Sequence, residues 1–292
     1  MISLQSVTHV YGEGSDSAVT ALDGVTLELR EGELTVLFGH NGCGKSTLAR
    51  HCNGLLLPTS GRVVVGGVDT ADDDRIYDVR QQVGMVFQNP DNQIVATIVE
   101  DDIGFGPENL GLDSDEIQRR VDEAVVMLGL EQVRGQAPHL LSGGQKQLVA
   151  IAGVLAMRPR IVVLDEPTSL LDPAGRAQVL DVALRLVRDE GLGVVLITHF
   201  MHEAVHADRV VVMDAGRVVL DGTPPAVFSQ VDALRELQLD VPHVTRVADL
   251  LRREYGLDLP PDLLTVEQLV DAVLARPQQA VGGRASAPSG RP

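Results

Sequence analysis

The sequence predicts an α/β fold, on three observations. Leu34 to Phe38 is a continuously apolar run, as expected of a parallel strand buried on both faces, and it leads straight into the glycine-rich string GHNGCGKST at 39–47. A second apolar run, Ile161 to Leu164, ends in the acidic pair Asp165-Glu166. Around these runs, strand-like and helix-like stretches alternate, the pattern of a sheet covered by helices.

The elements follow in order. Residues 2–8 and 25–30 alternate or cluster β-formers and predict an antiparallel subsheet. After the 34–38 strand, a helix is expected from near Lys45, and Gly61 to Val65 and Val83 to Phe87 read as further strands. Asp113 and Glu116 form a capping-box pattern ahead of a helix at about 114–128, with Ile117, Val121, Ala124, Val125 and Leu128 along one face. The stretch from about 89 to 158 is therefore expected to form a helical subdomain. A helix after Gly143, a strand at 161–165, a helix at 174–190 and a strand at 193–198 restore the α/β alternation. The 161–165 strand is expected to lie beside the 34–38 strand. Val210 to Met213 and Arg217 to Leu220 predict a closing hairpin about Ala215-Gly216.

Residues 1–230 read as one domain and residues 231–275 as a separate helical extension. In the extension, Val244, Val247, Leu251 and Tyr255 mark one helix. Thr265 capping toward Gln268, with Val266, Leu269, Val270 and Val273, marks another. From Arg276 onward Pro, Gly, Ala and Ser dominate, so 276–292 is expected to be a disordered tail.

Composition bounds the function. A chain of 292 residues accommodates one large domain plus an appendage. Apolar residues reach 44% but aromatics only 3%, so the core is expected to be Val, Leu, Ile and Ala. A net charge of −17 favours solubility and argues against a general nucleic-acid binder, which needs a basic surface to displace counterions; no nucleic acid is expected. The only cysteines are Cys43 and Cys52. A disulfide at Cys43 would distort the glycine loop, so reduced thiols and a cytosolic setting are expected. The N-terminus enters a strand pattern with no basic-then-apolar leader, and no apolar run approaches the ~20 residues of a bilayer span. Any service to a membrane is expected from the cytosolic side, through a partner.

Gly39, Gly42 and Gly44, with Lys45 and Ser46, match G-x-x-x-x-G-K-[ST]; His40, Asn41, Cys43 and Thr47 complete the segment. Glycines let the backbone wrap closely enough for successive N–H groups to face phosphate oxygens, and the following helix adds the positive end of its dipole. ATP and Mg²⁺ are the expected cofactors, with Lys45 bridging the β- and γ-phosphates and Ser46 on Mg²⁺. At the second strand tip, Asp165 is expected to hold Mg²⁺ through a water and Glu166 to polarise the attacking water. A competing match is His202-Glu203-Ala204-Val205-His206, which fits the zinc-hydrolase helix H-E-x-x-H. It lacks an evident third ligand, and chance is the expected explanation.

A third string, Leu141-Ser142-Gly143-Gly144-Gln145, has no use in most phosphate-loop enzymes. With GHNGCGKST before it and VVLDEP at 162–167 after it, residues 1–230 resemble the ATP-binding-cassette (ABC) ATPases. The resemblance implies an ABC-type nucleotide-binding domain: a phosphate-loop core with an antiparallel β subdomain and an α-helical subdomain. It places Tyr11 on adenine, Gln88 as a loop residue that ligates Mg²⁺ and senses the γ-phosphate, Asp172 in the loop after Ser169-Leu170-Leu171, and His199 as the switch histidine. Glu166, His199, Gln88 and Lys45 are the implied catalytic set. Ser142, Gly143, Gly144 and Gln145 would bind the γ-phosphate of ATP held by a second ABC ATPase, either the same chain or a homologue. Leu148 departs from the pattern, standing where an Arg is common; it costs a possible salt bridge but touches no phosphate.

The stretch NPDNQIVATIVEDDIGFGPENLGL at 89–112 resembles more narrowly the energy-coupling factor ATPases of cobalt, nickel and vitamin importers, as does VPHVTRVADLLRREYGLDLPPDLLTVEQLVDAVL in the extension. In that family the first segment receives a helix of the transmembrane scaffold. Asp91, Gln93, Glu100, Asp101 and Asp102 are expected to form an acidic, polar docking edge, complemented by basic residues on the partner. The resemblance implies an ATP-hydrolysing subunit peripheral to the cytoplasmic face of the cell membrane, driving metal-ion or vitamin uptake with a transmembrane coupling protein and a substrate-binding membrane subunit. Two alternatives stay open: the ATPase of another ABC importer or exporter, and a non-transport cassette protein acting on ribosomes or DNA.

Overall fold

The structure, a computed structural model, describes residues 1–275; the expected tail at 276–292 lies outside them. A hairpin of β1 (Ile2–Tyr11) and β2 (Val19–Leu29) leads to β3 (Leu34–Phe38), the glycine loop and α1 (Lys45–Cys52). Then come β4 (Ser60–Val65), β5 (Val68–Asp69), α2 (Ile76–Gln82) and β6 (Val83–Val86). Three helices form a block: α3 (Val99–Asn109), α4 (Ser114–Leu128) and α5 (Gly143–Leu155). After it run β7 (Ile161–Asp165), α6 (Pro173–Arg188), β8 (Gly193–Thr198), the single turn α7 (Met201–Ala204), and the hairpin β9 (Arg209–Asp214) and β10 (Arg217–Gly222). The chain closes with α8 (Pro224–Phe228), α9 (Val231–Glu236), α10 (His243–Tyr255) and α11 (Val266–Leu274).

Two sheets result. The antiparallel one has the order β2-β1-β4-β5, with Leu4 opposite Leu27. The other has the order β10-β9-β3-β8-β7-β6 and is parallel apart from the β9–β10 hairpin. β3 is central, and side chains alternate across it. Leu34, Val36 and Phe38 join the cluster under the helices, whereas Leu37 joins Ile2, Leu4 and Leu29 between the sheets. The expected adjacency of 161–165 to 34–38 is corrected here, because β8 pairs with both strands and separates them. Two equally apolar parallel strands give no local signal of their order. The spacing matters for the site, since it sets the axes of β3 and β7 about 10 Å apart.

α4 begins and ends as its sequence predicts, with Asp113 Oδ1 accepting from Glu116 N and Gly129 closing it in the left-handed region. α3 is the element with the weakest local signal: two glycines and a proline fall inside eleven residues. Packing overrides propensity. A Cβ on Gly106 would lie 2.7 Å from Met157 and 3.3 Å from the Gly153 carbonyl oxygen, so this glycine sets the close approach of α3 to α5 and the turn after it, whereas one on Gly104 would make ordinary contact at 3.6 Å with Ile117 and Val121.

In the C-terminal region, Val231, Leu234, Leu239 and Val241 pack into the main core. A separate small cluster starts beyond them, with Ala248, Leu259 and Leu263 buried and Val244, Leu251 and Leu269 against them. Thr265 and Gln268 form the capping box of α11. Among the described residues, no helix is long and apolar enough to cross a membrane.

Candidate active site

The glycine loop grows from the tip of β3. Gly39 (φ 155°) and Gly44 (φ 106°) admit no side chain: a Cβ would come within 2.3 Å of the Met213 carbonyl oxygen at the first and 2.4 Å of the Ala21 carbonyl oxygen at the second. Lys45 is 4% exposed, and its Nζ donates to the carbonyls of Gly39 and His40, both at 2.8 Å. Such contacts hold the loop in a ring around a cation that phosphate oxygens can later claim. Cys43 and Cys52 are buried free thiols, the second pushed up to about 12 by burial.

Across the loop, Ser46 Oγ donates to Asp165 Oδ1 at 2.8 Å. Asp165 is 5% exposed, and burial pushes its carboxyl above the usual range, opposed by the Ser46 hydrogen bond. A buried carboxylate beside a hydroxyl, with its charge poorly compensated, fits a hard divalent cation. Ser46, Asp165 through a water, and Gln88 are the residues that could hold Mg²⁺.

Glu166 sits at φ 48°, in the left-handed region, which costs a non-glycine residue about 1–3 kcal/mol. The conformation is held by Glu166 N donating to Ile197 O, and by Ser169 N and Oγ both donating to Glu166 O. It turns the carboxylate toward Gln88, whose Nε2 donates to Glu166 Oε2 at 3.1 Å and to Ser169 Oγ at 3.2 Å. His199 Nδ1 lies 3.8 Å from the same Oε2. A cleft of about 420 Å³ is lined by Tyr11, Gly42, Lys45, Thr47, Gln88 and Glu166 among others, within the usual range for small-molecule sites. At its mouth Tyr11 hydrogen-bonds Thr47 Oγ1 (3.3 Å) and meets His9 edge-on, with ring centroids 4.5 Å apart.

The structure thus brings together Tyr11, residues 39–47, Gln88, Asp165, Glu166 and His199. It leaves Ser142, Gly143, Gly144 and Gln145 outside that cleft's lining. Ser142 caps α5, its Oγ accepting from Gln145 N while its own N–H donates to Gln145 Oε1, which leaves a helix N-terminus facing outward. Asp172 is exposed and caps α6 through Gly175 N at 2.8 Å. Leu148 is buried in the core, where an aliphatic side chain avoids burying a guanidinium.

Two expectations, for Asp102 and Gln93 at the acidic edge, change, and the H-E-x-x-H string acquires a structural setting. In the H-E-x-x-H string the helix ends at Ala204, Glu203 is fully buried with neither carboxylate oxygen hydrogen-bonded, and no metal-holding cluster occurs among the described residues. Asp102 is not part of a docking edge: it is buried and accepts from Val95 N (2.7 Å) and Ala96 N (3.0 Å). Gln93 also turns inward, accepting from Phe87 N, while Asp91 pairs with Lys146 and Glu100 with Arg134. What lies open there instead is apolar, a groove of about 270 Å³ with exposed Val95 and Phe105 at its edge.

Sequence reasoning also missed the segment after α9. His40 Nε2 donates to Leu237 O at 2.8 Å, and a second cavity of about 440 Å³ sets Gln238, Leu239 and Asp240 against His40, Asn41 and His199. No local pattern marks that contact, which spans nearly two hundred residues.

A glycine loop on a strand tip, faced by a buried aspartate and a neighbouring glutamate, defines a phosphate-loop nucleotide-binding protein. The ABC transporter family model matches residues 22–169. The chain is 56% identical over 276 residues to the energy-coupling factor transporter ATP-binding protein EcfA1 of Symbiobacterium thermophilum, covering 93% of this chain and 96% of that one. It is 47% identical to the cobalt import ATP-binding protein CbiO of Syntrophus aciditrophicus, over 94% and 96% of the two chains. Among solved structures, cbiO1 from Clostridium perfringens, part of the transporter complex cbiONQ, superposes with a TM-score of 0.73 at 36% identity, covering 86% of this chain and 98% of that one. The ATP-binding cassette MJ0796, a dimer bound to ADP and Pi, gives 0.69 at 31%, covering 76% and 98%. The chain belongs to the ABC transporter ATP-binding family, whose members bind and hydrolyse ATP.

Proposed function

We propose that this chain is the ATP-hydrolysing subunit of an energy-coupling factor importer, driving uptake of a metal ion or vitamin. One observation carries the chemistry: Gln88 and His199, from two separate loops, approach the Glu166 carboxylate beside the phosphate loop, the first through a hydrogen bond and the second at 3.8 Å. Relatives that match over nearly the whole chain support the energy-coupling factor branch.

In this reading Lys45 Nζ exchanges the Gly39 and His40 carbonyls for β- and γ-phosphate oxygens, and Tyr11 stacks on adenine. Ser46, Gln88 and Asp165 would hold Mg²⁺, which would supply charge neutralisation on the phosphates. Glu166 accepts a hydrogen bond from the attacking water, and His199 steadies the γ-phosphate. The outward helix tip at Ser142 serves the nucleotide of a second ATPase, the same chain or a homologue, so ATP joins the pair and hydrolysis releases it. The chain works peripherally on the cytoplasmic face, through a transmembrane coupling protein and a substrate-binding membrane subunit. The test is co-purification from membranes: recovery with a multi-span scaffold supports the reading, and recovery with ribosomes or DNA in its place overturns it.

A further inference from the structure

We infer that Phe200 is a positioning residue for His199, and that Arg176 ties it to the loop carrying Asp172. The inference rests on the ATPase reading above and adds to it a connection within one chain. His199 is 43% exposed and its Nδ1 stands 3.8 Å from Glu166, beyond hydrogen-bond reach, so that contact does not fix the imidazole. The Phe200 ring does lie against it, with centroids 4.1 Å apart and planes tilted by 40°.

Phe200 is itself held from two directions. Its backbone N–H donates to Thr198 Oγ1 at 3.0 Å, which fixes the turn leaving β8. The Arg176 guanidinium carbon stands 4.1 Å from its ring centroid, a cation–π contact. Arg176 Nε donates to Leu171 O at 2.9 Å, one residue before Asp172. The loop is anchored at its other end too, where Ser169 N donates to Glu166 O.

The contacts form a path from Glu166 through Ser169, the 169–172 loop, Arg176 and Phe200 to His199, whose Nδ1 ends 3.8 Å from the Glu166 carboxylate. Displacement of the 169–172 loop, which carries the exposed Asp172, therefore shifts the imidazole relative to the carboxylate. A flat ring with two torsions transmits that shift with little loss of order, whereas an aliphatic side chain of similar bulk lacks the face on which both imidazole and guanidinium rest. Phe200 touches neither water nor nucleotide in this scheme; it acts through His199.

Steady-state ATP hydrolysis by the full-length protein with Mg²⁺ tests this, alongside melting temperature. Phe200→Leu is expected to lower kcat about tenfold with KM for ATP changed less than about twofold, while Phe200→Tyr retains about half the activity or more. Arg176→Gln is expected to lower kcat about threefold and Arg176→Lys to restore most of it. In a His199→Ala background, adding Phe200→Leu should change kcat less than about twofold, because the group it positions is gone. Equal fold losses in both backgrounds, or wild-type kcat in Phe200→Leu, overturn the inference. Wild-type hydrolysis by His199→Ala alone removes the role of His199 and this inference with it, an outcome distinct from the previous two. Should Phe200→Leu fail to fold, Arg176→Gln read in the same two backgrounds decides.

Discussion

Gln88 and Glu166 are joined by one hydrogen bond, Nε2 to Oε2 at 3.1 Å, although 77 residues of chain run between them. The bond ties the loop after β6 to the loop after β7, so the position of one carboxylate depends on the helical block that begins just beyond Gln88. Glu166→Gln keeps the shape and removes the charge. The expected result is retained ATP binding, turnover lowered by about 100-fold or more, and an ATP-dependent dimer visible by size-exclusion chromatography. Unchanged turnover would remove Glu166 from the role assigned to it.

Asp165 sets stability against function. Burial raises its carboxyl pKa in the fold, so the folded chain holds that proton more tightly than the unfolded one. The stabilising contribution is complete below the unfolded value and is lost as pH rises through the folded one, leaving a net cost at neutral pH. Asp165→Asn is therefore expected to raise the melting temperature of the nucleotide-free protein by about 2 °C while abolishing the Mg²⁺-dependent part of stabilisation by ATP. Differential scanning fluorimetry with and without Mg²⁺ reads both; a lowered melting temperature contradicts the burial argument.

His51 gives the opposite pH dependence. Its ring is fully buried, Nδ1 donates to Thr47 O at 2.7 Å, Nε2 has no partner, and His9 lies 4.8 Å away between centroids. Burial lowers its pKa, so the unfolded chain takes up the proton first as pH falls. Stability from this group is present above about 6.5 and is lost as pH falls through the folded value. Urea midpoints of the wild type are expected to drop between about pH 7 and pH 5, and those of His51→Phe to drop less. Burial lowers His206 in the same direction, so the slope should shrink rather than vanish.

The neighbouring acids at 101 and 102 should behave differently. Asp102 satisfies two backbone N–H groups from inside, and Asp101 is exposed. Asp102→Ala is expected to destabilise the chain by about 2 kcal/mol, and Asp101→Ala to stay within about 0.5 kcal/mol, measured by urea unfolding. If the proposed docking of a scaffold helix uses this edge, Asp101→Lys should weaken pull-down without changing stability.

Much of the architecture was legible because its signals are short-range. Continuous apolar runs marked β3 and β7, a strand pattern at 193–198 marked β8, and the Asp113–Glu116 pattern marked the start of α4. α3 was hidden by Gly104, Gly106 and Pro107, whose fitness for a helix depends on what packs against it. The apolar character of the groove was hidden for a related reason: the acids at 91, 100 and 102 attract the eye in the sequence, yet Asp91 and Glu100 are paired with cations from other segments and Asp102 turns back onto the backbone just ahead of its own helix.

The sequence by itself determined the glycine loop, the acidic strand tip and the serine-glycine helix start, because each is a contiguous string whose residue types are legible within a short window. Only the tertiary structure decided that β8 separates β3 from β7, that Glu203 turns into the core, and that Leu237 reaches His40 across nearly two hundred residues of chain. Those outcomes depend on the order in which equivalent strands stack and on which buried surfaces meet, quantities set by packing energy summed over the whole fold. A window of neighbouring residues contains no term for them.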